Sequence, residues 1–226
     1  MNKLLKKVIA LGLSAALCLT GAGFAFADDG VKNEKDETVY VLAGADGAVR
    51  QVIVSDWLKN AAGEDALADR SALTDIENVK GEETFTADGT SLVWDANGND
   101  IYYQGETSKE LPVSVKMTYF LDGKEISAAD LAGKSGALEI HIKIDQNKKC
   151  TFDFYDNTAL QINLTMDSET CENIQADGAT LANVGADKQI SYTVLPGKGL
   201  DAAVSADVTD FTMDAAAING VRMNLD

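Results

Sequence analysis

The segment at 128–135 has the residue types of a phosphate-binding loop, because it reads AADLAGKS and ends in the Gly-Lys-Ser order. In such loops a strand leads in and a helix follows, since the helix N-terminus and the loop amides hold the phosphates. Here the sequence predicts a helical turn over 127–131 before the segment and a strand over 138–144 after it. We therefore interpret Gly133 as a helix C-cap and expect no nucleotide site.

Oxygen-bearing side chains crowd one short stretch that could bind a hard cation such as calcium. They are Asp95, Asn97, Asn99 and Asp100. A calcium loop of the helix-loop-helix type needs glycine at its sixth position and glutamate at its twelfth. Gly98 is the fourth residue here, and the flanks 90–94 and 101–104 are strand-like. Because Asn-Gly strongly favours a two-residue turn, we favour a tight hairpin and keep calcium as the alternative.

His141 is the only histidine, and it lies on the polar side of a strongly alternating strand. No serine or cysteine carries the local signature of a nucleophile. A pair of carboxylates could hydrolyse glycosides, but so many acidic residues give no basis for choosing two. The sequence therefore predicts no catalytic, cofactor-binding or metal-ligating residue.

Cys150 and Cys171 are the two cysteines of the mature chain, because Cys18 lies in the predicted signal peptide. An even pair in an exported protein favours a disulfide. The 20 residues between them would give a stabilisation of about 3 kcal/mol in the loop-entropy estimate. Two reduced thiols are the alternative. With no third cysteine or nearby histidine, zinc is not expected.

Four aromatic residues could stack on a sugar ring, and they are Trp57, Trp94, Tyr102 and Tyr103. Trp94 and Tyr102 flank the expected hairpin and could face each other across it. Aromatic side chains on strands more often fill the core or pair across strands. Carbohydrate binding is therefore an alternative and not the first expectation.

The first 27 residues have the order of a cleavable export signal. Basic residues come first, an apolar run from Val8 to Leu19 follows, and Ala25-Phe26-Ala27 is a small-x-small cleavage site. An uncleaved anchor is the alternative, although the apolar run is shorter than the about 20 residues that span a bilayer. Leu17 before Cys18 is wrong for lipoprotein processing. We expect a secreted or cell-surface protein with no direct membrane insertion after cleavage.

The charge of the mature chain excludes one class of partner. Beyond residue 27 it has 16 basic and 36 acidic residues, a net charge of −20. Nucleic-acid binding needs lysine and arginine to neutralise phosphates, so it is not expected, and adhesion to anionic lipid is disfavoured. Solubility explains the acidity most simply, and calcium binding is the alternative.

Strand patterns dominate the mature chain. Residues 113–119 and 138–144 alternate apolar and polar side chains, as half-buried strands do. Short strands also fit 38–42, 49–54, 160–166, 189–194, 202–208 and 221–225, with a helical tendency over 56–68. We predict a mainly β fold, a β-sandwich with one or two short helices, for which an immunoglobulin-like topology is one option.

The expected organisation has four parts. Residues 1–27 are the signal peptide and 28–37 a flexible leader. Residues 38–110 form an N-terminal β-rich region with a short helix, and 111–226 form the β-sandwich region.

Two phrases of the sequence resemble known proteins. They are DIYYQGETSKELPVSVKMTYFLDGKEISAADLAGKSGALEIHIKI (100–144) and NIQADGATLANVGADKQISYTVLPGKG (173–199). Both are similar to exported surface proteins of clostridial-type bacteria and, more distantly, to the ectodomain of phage-infection-protein-like membrane proteins. The resemblance implies an ectodomain of a longer anchored protein. It supplies no active site, because no activity is established for that family.

Together these observations predict a non-enzymatic secreted or cell-surface domain that acts through protein contacts in the cell envelope. A carbohydrate-binding or calcium-dependent adhesive module is the alternative.

Overall fold

The computed structural model describes residues 16–22, 34–151 and 154–223. The rest of the predicted signal peptide and most of the leader lie outside these residues. Within the predicted signal peptide, Ala16–Ala22 forms strand β1. β1 pairs antiparallel with the next strand, with Leu19 opposite Val39. Cleavage after Ala27 stays a prediction.

The chain is mainly β, as predicted, with short strands that follow one another closely. The strands are β1 (Ala16–Ala22), β2 (Lys35–Ala43), β3 (Val49–Leu58), β4 (Ala66–Arg70), β5 (Thr74–Asn78), β6 (Phe85–Asp88), β7 (Ser91–Asp95), β8 (Ile101–Glu106), β9 (Val113–Leu121), β10 (Lys124–Ile126), β11 (Gly136–Gln146), β12 (Thr158–Asp167), β13 (Cys171–Ala176), β14 (Thr180–Val184), β15 (Asp187–Val194), β16 (Leu200–Val208) and β17 (Ala217–Arg222). The helices of the described residues are α1 (Ala128–Leu131) and a 3-10 turn (Tyr155–Asn157). None of them is long and apolar enough to cross a membrane.

The described residues divide into two compact units. The described parts of Met1–Leu17 and Lys109–Asp226, with Leu42–Arg50, belong to the first unit. The described parts of Cys18–Val41 and Gln51–Ser108 belong to the second.

The first unit is built from two antiparallel layers. One has the strand order β14-β15-β12-β17 and the other β10-β9-β11-β16-β13. Alternation along β11 buries Leu138, Ile140, Ile142 and Ile144 and exposes the residues between them. Tyr192 on β15 donates a hydrogen bond of 3.3 Å to the carbonyl of Ala203 on β16, so the two layers are in direct contact. The arrangement is the predicted β-sandwich.

The second unit has β2, β3, β8 and β5 as neighbours in one sheet and β4, β7 and β6 in another. Between the sheets lies one apolar cluster. Its buried members are Leu58, Leu67, Leu92, Trp94, Ala96, Ile101 and Tyr103. The rings of Trp94 on β7 and Tyr103 on β8 stack with centroids 5.2 Å apart, which joins the two sheets.

The predicted helical turn before Gly133 is confirmed. Ser127 is the N-cap of α1, and its hydroxyl accepts a hydrogen bond of 3.1 Å from the backbone N–H of Asp130. Gly133 follows with φ of +70°, and β11 comes next, so the order is helix then strand.

The helical tendency expected over 56–68 is wrong. β3 continues to Leu58, a turn follows, and β4 begins at Ala66. Burial alternates with period two along this stretch of β3, with Asp56 and Leu58 inside and Trp57 facing outward. β3 pairs with β8 along this stretch, with Leu58 opposite Ile101. This strand pairing outweighs a weak local preference for helix.

The hairpin expected at 95–100 is also wrong, although the turn itself forms. Asn97 and Gly98 both have positive φ, as a tight Asn-Gly turn requires. The strands that flank it do not pair with each other: β7 pairs with β4 and β6, whereas β8 pairs with β3 and β5. The turn therefore carries the chain from one sheet to the other.

The hairpin expected between β2 and β3 is confirmed, and its tip packs on β9. Gly44 donates its N–H to Ala48, and Tyr119 donates its hydroxyl to the carbonyl of Ala45 at 2.8 Å. Gly47 has φ of +86°, and a Cβ there would lie 2.4 Å from the carbonyl oxygen of Val115. Only glycine fits this close approach.

The register of the first unit bears on the predicted disulfide. Val208 on β16 lies opposite Gly136 on one side and Cys171 on the other, so Cys171 is level with the start of β11. Cys150 comes after the end of β11 at Gln146. β11 has 11 residues and is therefore more than about 30 Å long. The four residues 147–150, which follow its end, can reach back toward its start by at most about 14 Å.

A disulfide needs its two Cα atoms within about 7 Å, and the two thiols are not joined in this structure. The register therefore argues against the bond that the sequence predicts.

We expect Cys150 and Cys171 to be alkylated in denaturant without any reductant. Burial raises the pKa of the Cys171 thiol, so denaturant is needed for complete reaction. Peptide mapping after alkylation measures the result, and the same protein reduced first is the control. If both cysteines stay unmodified and react only after reduction, the result would support the predicted disulfide.

Candidate functional site

The polar residues that the sequence singled out do not converge on one site. His141 lies on the exposed side of β11, where its Nε2 contacts Glu139 and its ring lies 5.0 Å from that of Phe120. The 95–100 turn belongs to the second unit. Within the described ranges, no three histidine, cysteine or acidic side chains come close enough to hold a metal ion.

The side chains of Asp95, Asn99 and Asp100 in the 95–100 turn make hydrogen bonds within the protein. Asp95 accepts a hydrogen bond from the Thr84 hydroxyl, and Asn99 donates to the carboxylate of Glu83. Asp100 accepts from the backbone N–H of Asn60 at 2.7 Å. These side chains bind different neighbours, and the turn offers no shared cation cage.

The four aromatic residues are split between two surroundings. Trp94 and Tyr103 are fully buried in the core of the second unit, so they cannot reach a ligand at the surface. Trp57 on β3 and Tyr102 on β8 are half-buried and lie directly opposite each other in the strand register. The expected contact between Trp94 and Tyr102 across a hairpin is therefore wrong, because β7 and β8 lie in different sheets.

Trp57 and Tyr102 form a stacked pair between two lysines. Their ring centroids are 5.4 Å apart with planes inclined by 13°. Lys59 lies 4.9 Å from the Trp57 ring centre, and Lys80 lies 4.3 Å from that of Tyr102. We name Lys59, Trp57, Tyr102 and Lys80 the aromatic–lysine row. Cation–π attraction and cross-strand stacking both stabilise it.

Acidic neighbours fix the row in place. Trp57 Nε1 donates a hydrogen bond of 2.9 Å to Asp100. Hydrogen bonds from Asn60 and Trp57 hold the pKa of Asp100 below its usual range, so it stays ionised beside the row. Lys59 Nζ lies 2.6 Å from Glu34 and 3.1 Å from Asp36. These contacts hold the Trp57 ring and the Lys59 ammonium group in place.

A second polar group lies inside the second unit, where sequence reasoning missed it. Lys35 at the start of β2 lies 3.0 Å from Asp56 on β3 and 3.2 Å from Asp69 on β4. Tyr103 accepts a hydrogen bond of 3.0 Å from Lys35 and donates one of 2.5 Å to Asp69. We name these four residues the buried Lys–Asp cluster.

The carboxylates of this cluster are almost completely removed from solvent. The side chain of Asp56 is 1% exposed and that of Asp69 is 8% exposed, whereas that of Lys35 is 22% exposed. Oδ1 of Asp56 is buried without any hydrogen-bond partner. A signal was present in the sequence, because Asp56 falls on the same period-two face as inward Val54 and Leu58, and Asp69 falls on the same face as Leu67.

Burial and charge act against each other in the cluster. Burial raises the pKa of Asp56 above its ordinary value, although the charge of Lys35 opposes this. Burial alone would lower the pKa of Lys35, but Asp56 and Asp69 together raise it. Burial and the two neighbouring carboxylates raise the pKa of Tyr103, which therefore stays protonated.

No family model and no curated protein matches the chain. Among solved structures, it is similar to the μ-homology domain of Fcho1 from Danio rerio with bound Eps15 peptide, at a TM-score of 0.45 and 6% identity, covering 95% of this chain and 97% of that one. The yeast δ-COP-I μ-homology domain is similar at a TM-score of 0.40 and 8% identity, covering 93% and 96%.

Proposed function

We propose that this chain is an exported, non-enzymatic domain of the cell envelope, and that it binds another protein through the aromatic–lysine row. The stacked pair of Trp57 and Tyr102 at the surface of the second unit carries the proposal. The signal pattern at 1–27 and the resemblance to exported surface proteins support the location.

The chemistry of the row suits a protein contact. Tryptophan and tyrosine are enriched among residues that contribute most to protein binding. Because Asp100 already holds the Trp57 ring, little side-chain freedom is lost when a partner covers it. Lys80 at one end offers a charged group to carboxylates of the partner, whereas Lys59 at the other end is already paired with Glu34 and Asp36.

The same row disfavours the carbohydrate alternative. Sugars stack on an open aromatic face, whereas each ring here has the other ring on one side and a lysine within 5 Å. The calcium alternative loses its main candidate, because Asp95 and Asp100 of the 95–100 turn accept hydrogen bonds from different groups of the protein.

A photo-crosslinking amino acid at position 55 tests the proposal in the cells that make the protein. Ser55 lies on the same side of β3 as Trp57, two residues away. We expect illumination to yield one discrete, protease-sensitive adduct, and we expect Trp57→Ala to reduce its yield at least about tenfold, as loss of a central aromatic contact does.

The matched control carries the crosslinker at position 93, because Val93 is exposed on β7 of the same unit, away from the row. Equal yields from positions 55 and 93, or a yield unaffected by Trp57→Ala, would contradict the proposed surface. An adduct that resists protease but is removed by glycosidases would favour the carbohydrate module instead.

A further inference from the structure

The buried Lys–Asp cluster places a primary amine against a carboxyl group that is almost completely removed from water. Nζ of Lys35 lies 3.0 Å from Oδ2 of Asp56, so the carbonyl carbon of that carboxyl is one bond beyond the contact. A lysine amine in its neutral form is a good nucleophile toward such a carbon. Groups held at contact distance react as if at very high concentration.

Two further groups contact the same nitrogen. Oδ2 of Asp69 lies 3.2 Å from Nζ, and the hydroxyl of Tyr103 lies 3.0 Å from it. A carboxylate at this distance can take a proton from the nitrogen and return it to a leaving group. Nucleophile, acceptor and proton carrier therefore come from β2, β3 and β4 of one unit.

Burial makes the charge of the Asp56 carboxylate costly. Asp56 has a side chain exposed by only 1%, and its Oδ1 has no hydrogen-bond partner. The ring of Tyr103 and the neighbouring Trp94 exclude water from this side of the core. A buried ion pair keeps a large desolvation cost, which conversion into a neutral group removes.

We propose that Lys35 and Asp56 join in an intramolecular amide that cross-links β2 to β3, with Asp69 as the proton carrier. The inference concerns the second unit alone and does not depend on the proposed binding surface.

The reaction balances without any added reagent. A proton passes from Nζ to Oδ2 of Asp56, which gives an amine and a carboxylic acid. The nitrogen lone pair attacks Cγ, the C–N bond forms, and the C=O electron pair moves to Oδ1. Asp69 takes a second proton from nitrogen and delivers it to the hydroxyl on Cγ. The carbonyl forms again, the C–Oδ2 bond breaks, and one water leaves.

Trypsin digestion of the purified full chain tests this directly. Without the amide, trypsin cleaves after Lys35 and Arg50 and releases 36–50 and 51–59 as separate peptides. With the amide, Lys35 is no longer a substrate, and 33–50 remains joined to 51–59. We expect this branched peptide, about 18 Da lighter than the sum of its two parts because one water has left.

Three variants separate the roles. Lys35→Arg keeps the charge but must abolish the branched peptide. Asp69→Asn should slow its formation at least about tenfold, since the proton carrier is lost. Lys59→Arg is the matched control: it removes the amine of an ion pair with Glu34 that is shorter, at 2.6 Å, but keeps the tryptic site, and it must leave the branched peptide unchanged.

The digest of the wild-type protein shows whether the amide is present even if a variant fails to fold. Separate peptides 36–50 and 51–59 in equal amounts from folded wild-type protein would overturn the proposal. A branch that joins 33–50 to 60–70, which contains Asp69, would overturn the assignment of Asp56 as the acceptor.

Discussion

Replacing Lys35 by methionine is expected to lower the free energy of unfolding of the second unit by about 3–5 kcal/mol, as removing one partner of a buried ion pair does. Asp56 stays behind with a side chain exposed by only 1% and loses the only cation within salt-bridge distance among the described residues. If the amide joins the two side chains, the substitution also removes that link, and the loss is larger.

Urea unfolding followed by far-UV circular dichroism measures this loss. The control is the double variant Lys35→Met with Asp56→Leu, which replaces both charges by apolar groups. It should recover much of the stability, because apolar replacement of a whole buried pair is often neutral. A loss below about 1 kcal/mol for Lys35→Met, the size expected of an exposed pair, would contradict the buried cluster.

The stability deficit of Lys35→Met should depend on pH. Burial already raises the pKa of Asp56, and loss of the lysine charge raises it further. An acid whose folded pKa is raised destabilises the fold above that pKa and ceases to do so below its unfolded pKa. The deficit is therefore full at high pH and shrinks as the pH falls toward about 4.

Trp94→Ala is expected to lower the stability of the second unit by a similar amount, about 3–5 kcal/mol. Trp94 has no exposed surface and packs on Tyr103 at 5.2 Å and on Phe85 at 4.6 Å between ring centroids. Alanine leaves a cavity between the two sheets, and surrounding side chains fill such a cavity only in part.

Trp94→Phe should cost much less than Trp94→Ala. Phenylalanine keeps most of the ring contact and removes Nε1, which is buried without a hydrogen-bond partner in the native protein. Trp57→Phe is the surface control and should change stability by less than about 1 kcal/mol. Circular dichroism in urea gives all three values, and equal losses for Trp94→Ala and Trp57→Phe would contradict the assigned core.

The sequence predicted the first unit better than the second. β9 and β11 alternate cleanly between apolar and polar residues, and both form where the pattern placed them. β5, β6 and β14 were not predicted. Their residues are mostly exposed, so burial imposes no period-two pattern on their sequence.

The sequence predicted which residue types the candidate site contains, but it did not predict which of those residues come together. Period two gives the side of a strand that a residue faces, but it does not give the sheet to which the strand belongs. The 95–100 turn has the chemistry of a hairpin, yet β7 and β8 pair elsewhere. Period two places Asp56 and Asp69 on inward faces but does not bring them to Lys35, because that contact joins separate strands.

Both tryptophans of the chain, Trp57 and Trp94, belong to the second unit, whereas the first unit contains only tyrosines among its large fluorophores. Fluorescence excited selectively at tryptophan therefore reports on the second unit alone. The buried indole should emit at shorter wavelength than the half-exposed one, so emission colour follows the core and the surface separately. A fluorescence midpoint that differs from the circular dichroism midpoint would show that the two units melt independently.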